Sequence, residues 1–398
     1  MFSWLKRPGA TAVWPFATLS ASYFAHVGFF TPYLPLWLKD QGFSLLAISL
    51  LTSVQAFTRT FAPYAWGWLS DTTGERVKLL RFGGTVALLL SLALWWPMTW
   101  PSLLIVLLLL FTHTSAMMPM SEAALAHLVT VNGRFDTKRY GRVRVWGSIG
   151  FLVTVLLAGE WFERQGMGSF PILVSLSLLA VVISVWCLAD VKEDMPLGQV
   201  AVSLREAFAQ PGVKWLFGAV FFHVLAHVGG YVFFSLYLDS LGYSKTVIGV
   251  MWAMAVLAEV VWFIWQSKFL PLFSLTSWLL VASAAGGLRF GVTSLFANYW
   301  WLLAAAQMLH ALTFAAHHTA CIALLSHFFP GRLRGRGQAL YAIIGYGITG
   351  VLGALAGGLL TTYFGLASVF YVATVCCGIA FCLIRRLRQA TGLVALPT

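Results

Sequence analysis

An acidic residue lies near the end of one apolar segment of this sequence, and basic residues lie at the start of the next. Glu122 closes one apolar segment, and Arg142 and Arg144 open the next after a basic loop. Ionisable groups at membrane depth are costly unless they pair or line a path, so they are functional candidates by default. Both Glu122 and Arg144 lie at a similar depth, about 10 Å from the middle of their segments. The spacing therefore predicts a pair, which either serves function or is a static link between two helices.

A second group of polar residues lies in the last third of the chain. Glu259 falls near the centre of an apolar segment that has no other charge close to it in sequence. An acid held there is able to take up and release a proton, and we expect Arg289 as its partner, with His310 next. Imidazole titrates near physiological pH, so His310 is able to relay a proton. The plainer alternatives are a protonated core glutamate and a packing histidine.

A third arginine, Arg59, lies near the middle of the second apolar segment, one turn after Gln55. Arginine stays charged and presents a planar fork that fits a carboxylate. Arg59, Arg144 and Arg289 are three cations within or beside apolar segments, which contain only two acids. This excess of positive charge favours a small anionic organic solute. Arg59 alternatively faces the neighbouring loop and holds a gate.

The remaining candidate residues are weaker. His317 and His318 follow His310, but the histidines as a set show no repeated spacing of metal ligands, so we expect no metal. Phe29, Phe30 and Tyr33 either stack on an aromatic ring of a ligand or pack between helices. No nucleophile and base are spaced for catalysis, and we expect neither enzymatic activity nor a cofactor.

The composition places all these residues in a membrane. Of the 398 residues 60% are hydrophobic and only 10% are charged, whereas soluble domains are about 25% charged. Several apolar runs reach the roughly 20 residues that a helix needs to cross a bilayer. We expect an all-α integral membrane protein with twelve transmembrane helices.

The basic residues set the predicted orientation. Of the 25 Lys and Arg, 20 fall on alternate loops or at the adjoining span ends, Lys39, Arg164 and Lys245 fall on the opposite loops, and Arg59 and Arg289 fall within spans. Such asymmetry predicts that both termini are cytoplasmic. It also accounts for the net charge of +12 without a nucleic-acid partner.

The longest polar stretch divides the chain into two parts. We predict a six-helix bundle over 1–190, a cytoplasmic linker over 191–211 and a second six-helix bundle over 212–398. Six plus six helices is the layout of repeated secondary transporters, which bind their solute near mid-membrane. No GxxxxGK[ST] nucleotide-binding loop is present in the sequence. Transport is therefore expected to be facilitated or coupled to an ion gradient.

One loop carries a family signature. The stretch from Gly67 through Asp71 and Gly74 to Arg76 resembles the GxxxDxxGxR signature of the major facilitator superfamily. Gly67 is expected to let two helices approach closely, Asp71 to cap or pair at a helix end, and Gly74 with Arg76 to form a tight basic turn. The resemblance implies a gating motif that helps to latch the outward-open state.

Other segments are similar to the branch that contains the phenylpropionate permeases and lactose permease. They are Tyr140–Ser148, Glu122, Ala258-Glu259, Arg289 and Gln307–His310. The chain has Gln307 and Thr313 where lactose permease has a lysine and an acid, so the sugar chemistry is not carried over. From position, charge and this similarity together, we expect substrate-binding roles for Glu122, Arg144, Arg289, Gln307 and Arg59, and proton-coupling roles for Glu259, His310 and Glu122.

Together these features predict a proton symporter of the bacterial inner membrane. It is expected to import a small aromatic carboxylate such as a phenylpropionate by alternating access and to work as a monomer. A sugar or nucleoside proton symporter is the first alternative, and drug efflux is the second. A membrane-embedded metal protein or enzyme is the alternative from another class.

Overall fold

The protein is built from helices in the computed structural model. The structure describes residues 10–131, 134–135, 137–189, 210–329 and 334–392. Among the described residues the β-strands are one short antiparallel pair, Thr130–Val131 with Arg134–Phe135. The helices are α1 Ala10–Asp40, α2 Leu45–Thr73, α3 Arg76–Leu92, α4 Trp100–Thr114, α5 Met117–Val129, α6 Thr137–Gln165, α7 Phe170–Trp186, α8 Val213–Ser240, α9 Lys245–Phe269, α10 Leu275–Phe296, α11 Trp300–Met308, α12 His317–Phe328, α13 Arg334–Tyr341, α14 Thr349–Phe364 and α15 Ser368–Thr391.

The lengths and compositions of these helices suit a membrane. In the described part of the chain, 11 helical segments are long and apolar enough to cross a bilayer. The remaining long helix, α1, has 31 residues and is about 46 Å long, more than the hydrocarbon core requires. The predicted all-α, twelve-helix membrane class is therefore confirmed.

The same turn joins the first two helices of each half of the sequence. Gly42 and Gly242 adopt φ of 81° and 83°, a left-handed conformation that glycine reaches without steric cost. Ser44 and Ser244 follow, and each hydroxyl accepts the backbone N–H three residues on, at 3.2 Å. That bond satisfies one of the open N–H groups at the start of the next helix.

The chain divides into two compact units. The first comprises Met1–Phe43 with Thr58–Gly198, and the second comprises Ser44–Phe57 with Gln199–Thr398. The start of α2 therefore groups with the second unit. The predicted linker 191–211 lies outside the described residues except for Gln210 and Pro211.

Close helix packing on glycine holds the first unit together. A Cβ added to Gly28 of α1 would lie 2.8 Å from the carbonyl oxygen of Phe151 in α6. Phe29, Phe30 and Tyr33 are buried at 2%, 2% and 0% exposure, and the Tyr33 hydroxyl donates to Val155 O at 3.2 Å. Of the two alternatives for these rings, packing between helices is the one observed, because they are enclosed by the protein's own core.

Glycines play the same part in the second unit. A Cβ on Gly353 of α14 would lie 2.9 Å from Val228, and one on Gly345 would lie 3.1 Å from Val220. Both valines belong to α8, so small residues let α8 and the segment leading into α14 approach closely.

The loop between α2 and α3 only partly matches its predicted geometry. Gly74 adopts φ of 69° and makes the predicted tight turn. Arg76 is buried and its Nε donates to Ser70 Oγ at 3.0 Å. No described atom lies within 4 Å of a Cβ placed on Gly67, and the predicted helix approach there stays a prediction. The side chain of Asp71 lies outside the described part of the structure.

Replacement of Gly28 tests the packing of α1 on α6. Gly28→Val puts atoms where the Phe151 backbone lies, and overpacking of this kind costs about 1–3 kcal/mol. We expect a clearly lower melting temperature of the purified protein in detergent.

Gly378→Ala in α15 is the matched control, because an added Cβ there meets nothing within 4 Å. It removes a helical glycine and is expected to leave the melting temperature unchanged or raise it. A Gly28→Val protein as stable as the wild type would contradict the close α1–α6 contact.

Candidate functional site

Arg289 of α10 is the centre of the polar cluster in the second unit. Its Nη1 donates to His310 Nδ1 at 2.9 Å and to Thr313 Oγ1 at 3.2 Å, and its Nη2 donates to Gln307 Oε1 at 2.9 Å. Among the described residues these are its hydrogen-bond acceptors, and all are uncharged. A guanidinium placed in this way has charge and fork geometry to offer to an anion.

The bond to Arg289 fixes the protonation of His310. Arginine has no acceptor atom, so His310 Nδ1 must present its lone pair to Nη1. The single ring proton of the neutral imidazole then lies on Nε2, which is 3.6 Å from Glu259 Oε2. That distance is long for a hydrogen bond, yet short enough for a direct electrostatic contact. Arg289, neutral His310 and Glu259 form a chain from cation to anion.

This chain of groups corrects one detail of the predicted pairing. The sequence predicts a direct contact of Arg289 with Glu259, with His310 as the second choice. In the described structure His310 lies between them, and Arg289 makes no ion pair with Glu259 within 4.0 Å. The carboxylate is 23% exposed and the imidazole 8%. Glu259 is therefore the more accessible end for exchange of a proton.

A change of helix type positions these groups. Between α11 and α12 the segment Ala311–Ala316 is π-helical, and such segments are frequent at functional sites because they re-aim side chains and free a carbonyl. Thr313 lies within it, with its hydroxyl on Arg289. His223 Nε2 donates to the Thr313 carbonyl at 2.7 Å. A second π-helical segment, Ala342–Ile348, joins α13 to α14.

Sequence reasoning missed the histidines of α8. The rings of His223 and His317 stack at a centroid distance of 3.8 Å and an interplanar angle of 9°, and the His227 ring lies 4.8 Å from that of His223. The signal available was the spacing of four residues between His223 and His227, which places both on one helical face. Among the described residues no three His, Cys, Asp or Glu side chains group as metal ligands.

Aromatic side chains flank the chain of charges. Phe314 stacks on His310 at 5.2 Å and 15°. Trp252, seven residues before Glu259, stacks on Tyr231 at 6.3 Å, and its Nε1 donates to Ser235 Oγ at 3.1 Å. Next along α12, His318 Nδ1 lies 3.1 Å from the Tyr341 hydroxyl. The second unit thus combines a cation, an acid and several rings.

In the first unit, Glu122 and Arg144 meet as predicted. Arg144 Nη1 lies 2.6 Å from Glu122 Oε1, and the guanidinium carbon lies 5.3 Å from the centre of the Phe24 ring. The side chains are 40% and 34% exposed, so the pair is accessible rather than sealed in a core. An accessible ion pair contributes little stability, about 0–1 kcal/mol. Its assigned role in binding stays a prediction.

Arg59 is exposed on α2. It and Glu122 both act electrostatically on the Tyr23 hydroxyl, which places the three groups in one neighbourhood of the first unit. Arg59 and Arg144 thus belong to one unit and Arg289 to the other. That the three arginines converge on one solute stays a prediction.

Known proteins similar to this chain are membrane transporters. A probable 3-phenylpropionic acid transporter of Escherichia coli (strain K12) is 26% identical over 358 residues, 88% of this chain and 91% of that protein. The maltose permease of Geobacillus stearothermophilus is 23% identical over 347 residues, covering 87% and 86%. The solved structure of the nucleoside transporter NupG superimposes with a TM-score of 0.77 at 13% identity, covering 95% of this chain and 98% of that one.

The family profile agrees with the fold and with these relatives. The profile described as the MFS_1 like family matches residues 17–372, which is most of the chain. With its long apolar helices, the chain belongs to the MFS_1 like family and is a multi-pass membrane transporter of the major facilitator fold.

Proposed function

We propose that this transporter imports a small aromatic carboxylate, such as 3-phenylpropionate, together with protons. The observation that carries the proposal is Arg289, a membrane-embedded guanidinium whose described hydrogen-bond acceptors are all uncharged. Among the described residues its charge is balanced through neutral His310 by Glu259. A carboxylate from a solute fits the fork of Arg289 better than any acceptor that it has now.

The chain Arg289–His310–Glu259 couples the anion to a proton. When a carboxylate binds Arg289, the negative charge of Glu259 loses its balancing partner. Two negative charges beside one cation disfavour each other, so Glu259 takes up a proton and the cluster returns to neutral. The carboxylate and the proton therefore bind together and leave together, which is the requirement for symport.

The rings around the cluster suit the rest of such a solute. Trp252, Tyr231 and Phe314 are each partly exposed and flank the charged chain. Offset stacking of a phenyl ring on such side chains is worth about 0.5–1.5 kcal/mol beyond its buried area. The relative from Escherichia coli, a probable 3-phenylpropionic acid transporter, supports the same choice.

The first unit carries the other residues that we assign to the solute. Accessible Glu122 and Arg144, with Arg59 in the same neighbourhood, are assigned to solute binding, and Glu122 is also the alternative site of the coupled proton. The proposal includes alternating access of the two six-helix halves. It places the protein in a bacterial inner membrane with both termini cytoplasmic, as a working monomer without enzymatic activity.

A neutral solute is the second candidate. The similarity to maltose permease and to the fold of NupG favours it. A sugar or nucleoside hydroxyl is able to accept from Arg289, but it leaves the charge of the guanidinium unmatched. Efflux of lipophilic compounds uses the same fold and the opposite direction.

Uptake by proteoliposomes separates these candidates. With an imposed inward proton gradient, radiolabelled 3-phenylpropionate is expected to accumulate, whereas lactose and uridine offered in parallel are not. Accumulation of lactose or uridine alone would overturn the carboxylate proposal. The absence of accumulation of all three would contradict import.

Glu259→Gln tests the proton site. The amide keeps the shape of the side chain and cannot take up a proton, so gradient-driven accumulation of 3-phenylpropionate should fall to passive equilibration. Exchange of labelled for unlabelled solute, which needs no net proton movement, should persist. Glu160→Gln, at an exposed pair with Arg164, is the control and should leave accumulation unchanged. Full gradient-driven accumulation by Glu259→Gln would place the coupling proton elsewhere.

Arg289→Gln tests the anion site. Loss of charge-assisted bonds to the carboxylate should raise KM for 3-phenylpropionate by roughly 10- to 100-fold, because each such bond contributes about 1.5–3 kcal/mol. Arg289→Lys keeps the charge without the fork and should lie in between. The exposed Arg164→Gln is the matched control, and an unchanged KM in Arg289→Gln would remove Arg289 from the solute site.

A further inference from the structure

One histidine beside the proposed site has an unused nitrogen. His227 of α8 is 5% exposed, and its Nδ1 lies 2.9 Å from the carbonyl oxygen of His223, one turn earlier. A carbonyl only accepts, so Nδ1 carries the ring proton and Nε2 presents a lone pair. Among the described residues that buried Nε2 has no hydrogen-bond partner.

In the neighbouring histidine, His223, both ring nitrogens have hydrogen-bond partners. His223 Nε2 donates to Thr313 O at 2.7 Å, and its Nδ1 lies 3.4 Å from Ser283 Oγ. Both nitrogens are therefore occupied, and the ring is also stacked on His317. Since an unmade hydrogen bond of a buried acceptor is unfavourable, the open nitrogen of His227 points to a ligand that arrives during transport.

The surroundings of His227 determine what that ligand is. Phe290 packs edge-on at 5.1 Å, so the space is narrow and apolar on that side. The described ionisable groups that face the ring are His223 and Tyr231 on its own helix, Arg289 on α10, His310 at the end of α11, and His317 on α12. No carboxylate is among these groups. A metal ion would need further ligands, and a proton needs only the one lone pair.

Resting on the proposed function, we infer that His227 Nε2 binds a second transported proton when a carboxylate occupies Arg289. Glu259 balances Arg289 only across His310, so the positive charge of Arg289 opposes another positive charge on His227. A carboxylate bound directly to the guanidinium lies closer to that charge than Glu259 does and weakens the opposition. The anion thus favours protonation of His227 in addition to that of Glu259, and the loaded cluster carries one net positive charge.

The geometry offers the second proton a route. The rings of His227 and His310 lie 6.4 Å apart, a separation that one water molecule bridges. On the uptake side a hydronium ion loses one O–H bond as the N–H bond forms at the Nε2 lone pair, and a water molecule is left. On the release side the N–H bond breaks and the proton forms an O–H bond with water, which regenerates hydronium.

A second proton changes the charge that crosses the membrane. Two protons and one carboxylate carry a net charge of +1 in each cycle, whereas one proton and one carboxylate carry none. An interior-negative potential of 100 mV should therefore increase accumulation of 3-phenylpropionate by roughly 50-fold, because moving one charge across it is worth about 2.3 kcal/mol.

The experiment counts protons in proteoliposomes that contain the full-length protein. Proton influx and 3-phenylpropionate influx are measured together, with and without a potassium diffusion potential. The wild type should take up two protons per solute, and His227→Gln should take up one and lose its response to the potential. His113→Gln is the matched control, since the His113 ring has the same bond to a carbonyl four residues earlier, at 2.7 Å, and is partly exposed in the first unit.

Each outcome of this experiment is decisive. One proton per solute in the wild type, or two in His227→Gln, would overturn the second proton site and leave the proposed symport standing. A wild type that takes up 3-phenylpropionate without protons, or does not take it up, would overturn both proposals. If His227→Gln does not fold, a wild-type ratio of one proton per solute still overturns the second proton site.

Discussion

The second unit is organised around one electrostatic constraint, which is that the charge of Arg289 must be balanced inside a membrane. A charge removed from water costs several kcal/mol unless it is paired. Here the balance comes from Glu259 through a neutral imidazole rather than through direct contact. Because the balance is indirect, a solute carboxylate is able to take the place of His310 on the guanidinium. The proposed coupling of solute to proton follows from this single arrangement.

The helices around the chain of charges serve to hold it. The π-helical segment Ala311–Ala316 presents Thr313 to Arg289, and His223 satisfies the Thr313 carbonyl from α8. Small residues such as Gly345 and Gly353 bring the neighbouring segments close to α8. The chain of charges thus lies among helices that pack closely on glycine.

The sequence predicted the fold class and the membership of the two clusters, because a charged residue within an apolar segment is conspicuous. It predicted the Glu122–Arg144 pair because their depths match. It could not predict that His310 lies between Arg289 and Glu259, since a π-helical turn shifts side-chain directions that ideal helical spacing assumes. His223 and His227 were missed because their partners lie on helices distant in sequence. The sequence left two alternatives open for Phe29, because the packing partners of a side chain are not evident from the sequence alone.

The coupling depends on whether a carboxylate on Arg289 drives a proton onto Glu259. Infrared difference spectroscopy on the reconstituted protein, with and without 3-phenylpropionate at neutral pH, measures this directly. We predict that solute binding creates the carbonyl stretch of a protonated carboxyl group and that Glu259→Gln lacks this band. No such band in the wild type, or the same band in Glu259→Gln, would contradict the proposed coupling.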